Sequence, residues 1–377
     1  MKSQKSQQSI TMDCNFPGGN IIVDDIRGST IRVHPDHRDT KGYWFYWYFR
    51  VRGVAGRKIK VIFKENKAFG PNGPAWSVDG ATTWSWLGMD HVKVRSFVAS
   101  VPPGVEDVRF CFAVPYTAAH LERFLALYLG NSHLAVKSLC KTPKGREAEI
   151  LLIGKVHGRL KHKVFITARH HACETMASYV VEGVIESILG NSPEGDWFRE
   201  NVAFAVVPFV DKDGVEEGDQ GKNRIPWDHN RDYGETTIYA ETRAIKEFLP
   251  PWFDKGSSLA FDFHCPYIHD EKIQIIGLPD KNQWTAVEAF SRVLERVQRG
   301  SLAFKVVDNL PFGNGWNTAS NTPVGKDFSA WAWGLGGMRL VATVEVPYAA
   351  VSGATVNPDS ARAFGKDFAQ ALRVFLA

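Results

Sequence analysis

Residues 167–177 read TARHHACETMA, with His170 and His171 four and three residues ahead of Glu174. Two imidazoles and a carboxylate are the ligand types of a zinc site, and a single turn of chain brings the side chains of His-x-x-Glu to one point. Glu174 equally suits the positive end of a helix as a purely structural residue. A catalytic zinc takes three protein ligands and keeps a position for water, so a further ligand should close another apolar run. LAFDFHCPY supplies His264, just before a proline. Cys265 competes, but neighbouring side chains on an extended strand point to opposite faces, so His264 and Cys265 should not share one ion. The same alternation separates His170 from His171 without choosing between them.

Hydrolysis at such a site needs a base that is not itself a ligand. VATVEVPY sets Glu345 between Val344 and Val346 in a strand-like run. There it either faces solvent on an alternating strand or is buried for its chemistry. The stretch at 211–233, DKDGVEEGDQGKNRIPWDHNRDY, is crowded with Gly, Asp, Asn and Arg. A surface turn accounts for its glycines but less well for Asn230 and Arg231. That pair suits a carboxylate clamp, because guanidinium binds carboxylate bidentately.

Elements must deliver these residues to one place. After VPYTAAHL, the runs EILLIG, KVFITAR, NVAFAVVPF, LAFDFHC, KIQIIGL and LVATVEV alternate with helical segments such as TMASYVVEGVIESIL, AVEAFSRVLERV and SARAFGKDFAQALRVFL. Alternating strands and helices predict an α/β fold with a mixed central sheet flanked by helices. In open α/β sheets, reactive groups gather where strands end and helices begin, which is where His171, Glu174 and His264 fall. The first third reads differently. STIRVHP, KIKVIF and VRFCFAV alternate with period two between Gly, Pro and Asp clusters, predicting an all-β antiparallel sandwich. Tyr43–Phe49 lacks that alternation, as expected of a strand buried on both faces and packed into the core. The division is expected near residues 116–126, giving a sandwich over 1–120 and an α/β domain over 121–377.

A length of 377 residues accommodates two cores. Hydrophobic and charged contents of 44% and 23% are those of a globular chain rather than a disordered or fibrous one. A formal net charge of +4, from scattered basic residues, gives no stripe for nucleic acid. No apolar run approaches the roughly 20 residues of a membrane span, and MKSQKSQQSI lacks the apolar centre of a secretory signal. Five cysteines without CxxC spacing fit free thiols in a reducing compartment, so a cytoplasmic setting is expected.

These motifs together resemble the zinc metallocarboxypeptidases related to carboxypeptidase A, and most closely the cytosolic carboxypeptidase branch. ARHHACET is similar to that family's metal motif, KDGVEEG…DHNR to its Asp-x-Asn-Arg segment, DFHC to the strand bearing the third ligand, and ATVEVP to the strand bearing the catalytic glutamate. WFYWYFRV and CFAVPYT look like the β-sandwich that precedes the catalytic domain in that branch. The resemblance implies Zn2+ held by His171, Glu174 and His264, which resolves the choice against His170. It implies Glu345 as general base and Asn230 with Arg231 holding the free carboxylate of a peptide or protein C-terminal tail. Asp228 would orient a zinc-binding histidine, and Arg224, or alternatively Lys222, would stabilise the oxyanion. The chain departs from the family in having Ala172 and Cys173 where Pro-Gly is usual, and in the residues between DGV and DHNR. Residues 313–337 are expected to form the rim of the pocket, with Lys326 and Arg339 as candidate readers of an acidic side chain. Two other functions are open to the same residues. One is a zinc amidohydrolase acting on N-acyl amino acids or cell-wall peptides. The other is a non-catalytic binding protein using the aromatic sandwich, which requires the loss of a ligand or of Glu345.

Overall fold

The computed structural model describes residues 9–65, 68–154, 160–321 and 325–377. Most of the polar start, residues 1–8, and positions 322–324 of the expected rim lie outside these.

Two five-stranded sheets form the N-terminal part. One is ordered Thr11–Asp13, Tyr48–Arg52, Asp107–Cys111, Ala75–Ser77, Ser85–Trp86. The other runs Ile22–Arg27, Thr30–His34, Lys58–Phe63, Ser96–Ser100, Val92–Lys93. Alternation places Ile59, Val61 and Phe63 inside and Lys58 and Lys60 outside. The sheets meet where the Phe97 and Phe110 rings lie 4.9 Å apart. One pairing departs from the expected antiparallel pattern, since Thr30–His34 and Lys58–Phe63 are parallel. The chain between them crosses to Tyr48–Arg52 in the other sheet and re-enters in the same direction, the long connection a parallel pair requires. The Tyr43–Phe49 run is buried from Phe45 to Phe49, but it is not the strand expected: strand pairing begins only at Tyr48, and the preceding residues pack as irregular chain.

A seven-stranded mixed sheet forms the second part, ordered Leu134–Lys141, Glu147–Ile153, Val202–Val207, His162–Ala168, Ser258–His264, Leu340–Glu345, Gln274–Ile276. Its four central strands are parallel and almost continuously buried, as strands covered on both faces must be. Helices Thr175–Leu189, Lys281–Val297 and Pro358–Leu376 join the cluster on one face, while Ala240–Trp252 and Phe328–Gly334 cover the other. Thr175–Leu189 and Pro358–Leu376 touch backbone to backbone at Gly183, where a Cβ would fall 2.0 Å from Arg362 O. From His162–Ala168 the chain moves to Val202–Val207 on one side and then to Ser258–His264 on the other. That reversal opens a crevice at the carboxyl ends of the strands.

The expected division at 120/121 falls inside helix Ala118–Ala126. One hydrophobic cluster runs from the sandwich into the α/β part. Among the described residues no helix is long and apolar enough to cross a membrane.

Candidate metal centre

Three chain segments converge in the crevice. His162–Ala168 ends in a turn led by Arg169, whose φ of 61° is the left-handed conformation that non-glycine residues rarely adopt. Its buried guanidinium donates to Tyr116 O at 3.0 Å, to Ser178 Oγ at 3.1 Å and, through two nitrogens, to Ala172 O. This folds residues 170–174 back over the start of helix Thr175–Leu189, with Glu174 as its N-cap.

Glu174 then stands between two imidazoles. Oε1 is 2.9 Å from His171 Nδ1 and Oε2 is 2.7 Å from His264 Nδ1. Burial opposes its charge, but Lys222, His171 and His264 hold its pKa well below the ordinary value. The three ligand atoms lie within 4.8 Å of one another, where zinc bonds of about 2.1 Å would set tetrahedral ligands ~3.4 Å apart. Each histidine also presents its second ring nitrogen to a carboxylate. His171 Nε2 is 3.6 Å from Asp228 Oδ1, and His264 Nε2 is 2.7 Å from Asp262 Oδ2. The Asp262 bond fixes hydrogen on His264 Nε2, the tautomer whose Nδ1 can ligate a metal, and Asp228, just beyond hydrogen-bond distance, favours the same for His171.

Glu345 completes the arrangement. It is the register partner of His264 on the neighbouring parallel strand, so both side chains leave the same face. Only 8% exposed, it carries an Oε2 without a hydrogen-bond partner. Burial chiefly raises its pKa, with Glu174 adding to the rise while His264 and Lys222 oppose it. A donor set of two Nδ1 atoms and a carboxylate, beside an orphaned buried oxygen, fits zinc with an open position.

His170, Asp262 and His264 form a second group close enough to hold an ion. There, however, His170 is fully buried and both its nitrogens are taken, by Asp262 Oδ1 and Tyr233 Oη, each at 2.8 Å. With both His170 nitrogens engaged, the metal reading favours His171.

The segment at 211–233 supplies the rest. Gln220 O accepts from Cys173 N–H at 3.1 Å. Gly221, at φ +75°, passes so close that a Cβ would fall 2.1 Å from Ala172 N. Lys222 is thereby aimed inward, its Nζ 2.7 Å from Glu174 Oε1 and 5.1 Å from the Trp44 ring centre. Burial works against its charge, yet Glu174, Cys173 and Glu345 more than offset it and its pKa is raised. Arg224 is engaged elsewhere. Its Nε, Nη1 and Nη2 lie 3.1, 2.8 and 2.9 Å from Asp39, Asp211 and Asp219. Three carboxylates thus take up the donors and charge that an oxyanion role would need, and Lys222 is the cation brought to the cage.

Asp228 caps the short turn His229–Arg231, accepting from Asn230 N–H at 3.1 Å. Burial raises its pKa, but His171 and Arg231 lower it further. Asn230 Oδ1 accepts from Phe328 N–H at 3.1 Å, and its Nδ2 stands 3.3 Å from His264 Nε2. Arg231 is half-buried, bonded to Asn230 O, and faces no carboxylate within ion-pair distance among the described residues. Lys326 adjoins it, its N–H donating to Arg231 O. Arg339 does not approach the site. It immediately precedes the Glu345 strand, at the opposite end of the sheet, where it donates to Phe375 O. The sandwich also reaches the site, through Trp44 and through Asp39, which accepts from the N–H groups of Gln220 and Gly221.

Residues 127–245 match the family model for zinc carboxypeptidases. Over that stretch the chain is similar to a zinc carboxypeptidase domain. Cytosolic carboxypeptidase 6 of Mus musculus is 26% identical over 319 residues, covering 77% of this chain and 58% of that protein. Cytosolic carboxypeptidase 3 of Bos taurus is 28% identical over 164 residues, 41% of this chain and 16% of its own. The chain thus spans less than two thirds of the length of these relatives. The metallo-carboxypeptidase from Burkholderia cenocepacia superposes with a TM-score of 0.81 at 20% identity, over 98% of this chain and 99% of that one. The metallo-carboxypeptidase from Pseudomonas aeruginosa, solved with (2-guanidinoethylmercapto)succinic acid, gives 0.75 at 18% identity over 97% and 98%. The whole chain, sandwich included, therefore shares the fold of these structures.

Proposed function

We propose that the protein is a zinc-dependent carboxypeptidase that removes the last residue from peptides or protein tails. The observation that carries this reading is the cage of His171, Glu174 and His264 beside the unpartnered oxygen of Glu345. Zinc held there would acidify a water and polarise a peptide carbonyl. Glu345, with its raised proton affinity, accepts the proton of the attacking water and delivers it to the leaving amine. Lys222 rather than Arg224 supplies the fixed positive charge for the developing oxyanion. Arg231, which faces no carboxylate within ion-pair distance among the described residues, pairs with the substrate's terminal carboxylate, and Asn230 positions it beside His264. Asp228 holds the His171 ring. The two-part division near residue 120 and a cytoplasmic setting belong to the same proposal, the latter supported by five free cysteines.

The test is mass spectrometry of peptides with free and amidated C-termini. Stepwise loss of single residues from the free acids, with the amides untouched, is expected. Cleavage of N-acyl amino acids but not of peptides would move the assignment to an amidohydrolase. Equal trimming of amides would remove the role of Arg231.

A further inference from the structure

The sequence offers two adjacent histidines and the metal cage uses one. His170 is fully buried against Asp262, which is equally buried. Its Nε2 lies 2.8 Å from Tyr233 Oη and its Nδ1 2.8 Å from Asp262 Oδ1. The other oxygen of Asp262 lies 2.7 Å from His264 Nε2. Thr167 Oγ1 donates to Asp262 Oδ1 at 2.8 Å, and the rings of His170 and His264 stack 13° from parallel with centres 5.8 Å apart.

Donor and acceptor capacities fix the direction of this chain. An ionised carboxylate only accepts, so Nε2 of His264 and Nδ1 of His170 must both carry hydrogen. A neutral His170 then has a bare Nε2, which accepts from the Tyr233 hydroxyl. With a metal in the cage His264 would offer it the lone pair of Nδ1; without one, that atom also carries a hydrogen, which Glu174 Oε2 accepts at 2.7 Å. Asn230 Nδ2, 3.3 Å from His264 Nε2, is a contact rather than a bond in this arrangement, because both atoms are donors. Without His170, Asp262 would keep His264 on Oδ2 and Thr167 on Oδ1, but lose the second donor on Oδ1 and the ring stacked on His264.

We propose that Tyr233, His170 and Asp262 form a buried positioning relay, which orients the His264 ring and strengthens Nδ1 as a metal ligand. The proposal rests on the zinc cage described above. His170 is a positioning residue in it and not a ligand.

Zinc affinity of the full chain, measured by chelator competition for wild type, His170→Leu, His170→Asn and Tyr233→Phe, tests it. Wild type should bind one zinc per chain. His170→Leu should still bind one, with Kd weaker by about 10- to 100-fold, the scale of lost outer-shell support. His170→Asn, whose amide restores a donor near Nδ1, should recover most of this, and Tyr233→Phe should show a smaller loss. Visible bands of the cobalt(II)-loaded chain should shift in His170→Leu and return in His170→Asn, which a merely structural role would not produce. Unchanged affinity in a folded His170→Leu overturns the relay. If that variant does not fold, unchanged affinity and an unchanged cobalt spectrum in Tyr233→Phe overturn it instead. Two zinc ions in wild type falling to one in His170→Leu would make His170 a ligand and also overturn it. A wild type without zinc overturns the cage, and the relay with it, whereas failure of the relay alone leaves the cage standing.

Discussion

Replacing Glu345 by Gln keeps the side chain's shape and removes its capacity to take a proton. Proton transfer of this kind contributes about 10²- to 10⁴-fold, so kcat should fall by about a hundredfold or more while zinc binding persists. Loss of zinc together with activity would instead make Glu345 part of the cage. Lys222→Ala should lower kcat by about 10²- to 10³-fold with little change in KM, and Lys222→Arg should restore part of it. An unchanged kcat would return the oxyanion role to another cation. Much of the site could be read at this scale because its members end strands. His264 closes one apolar run and Glu345 sits in another, and their shared row follows from register. The choice between Lys222 and Arg224 could not be read, because it depends on which way a glycine-rich loop turns. Nor was Asp262 singled out, although it stands two residues before His264 on the same face of the strand.

Two loops brace one another around the cage. Gly221→Ala would drive a Cβ into Ala172 N and force apart the loops carrying Lys222 and the His171–Glu174 pair. We expect zinc affinity and activity to fall together. A variant that binds zinc normally would show the loops to be independent. Arg169→Ala removes the donors on Ala172 O, Tyr116 O and Ser178 Oγ from a buried position. Leaving buried acceptors unpaired costs about 1–3 kcal/mol each at most, so a loss of about 3 kcal/mol in denaturant unfolding is expected. A loss below about 1 kcal/mol would mean that solvent replaces the guanidinium. Strands and long helices were legible from their periodicity, since that pattern is local. Arg169 was not, because a buried arginine in a left-handed turn leaves no periodic trace. The parallel pair in the sandwich was hidden for a related reason: alternation reports which face is buried and not strand direction.

Across the whole molecule, helix Ala118–Ala126 joins the sandwich to the α/β part. Its first turn is secured by His120, whose Nδ1 accepts from Thr117 N–H at 3.1 Å. Burial, helped by Arg123 and Arg169, lowers the His120 pKa to about 4. Its folded value is thus below its unfolded one, and the unfolded chain binds more protons between about pH 6.5 and 4. Stability should therefore fall as pH drops through that window, by about 2 kcal/mol at pH 5 from this group. His120→Gln should flatten the difference between urea unfolding at pH 7 and pH 5, and an equal slope in both proteins would locate the proton elsewhere. The sandwich does more than pack. Asp39 ties Gln220, Gly221 and Arg224 to it, and Trp44 covers Lys222. Contacts this distant in sequence were invisible to pattern reading, which placed a boundary near residue 120 but no traffic across it.

The central claim is a zinc cage served by Glu345. It is tested most directly by measuring bound metal and single-residue release on the same preparations of wild type and Glu345→Gln. One zinc per chain in both, with release confined to wild type, is the predicted result. A wild type that releases residues without zinc, or a Glu345→Gln protein that trims as fast as wild type, would contradict it.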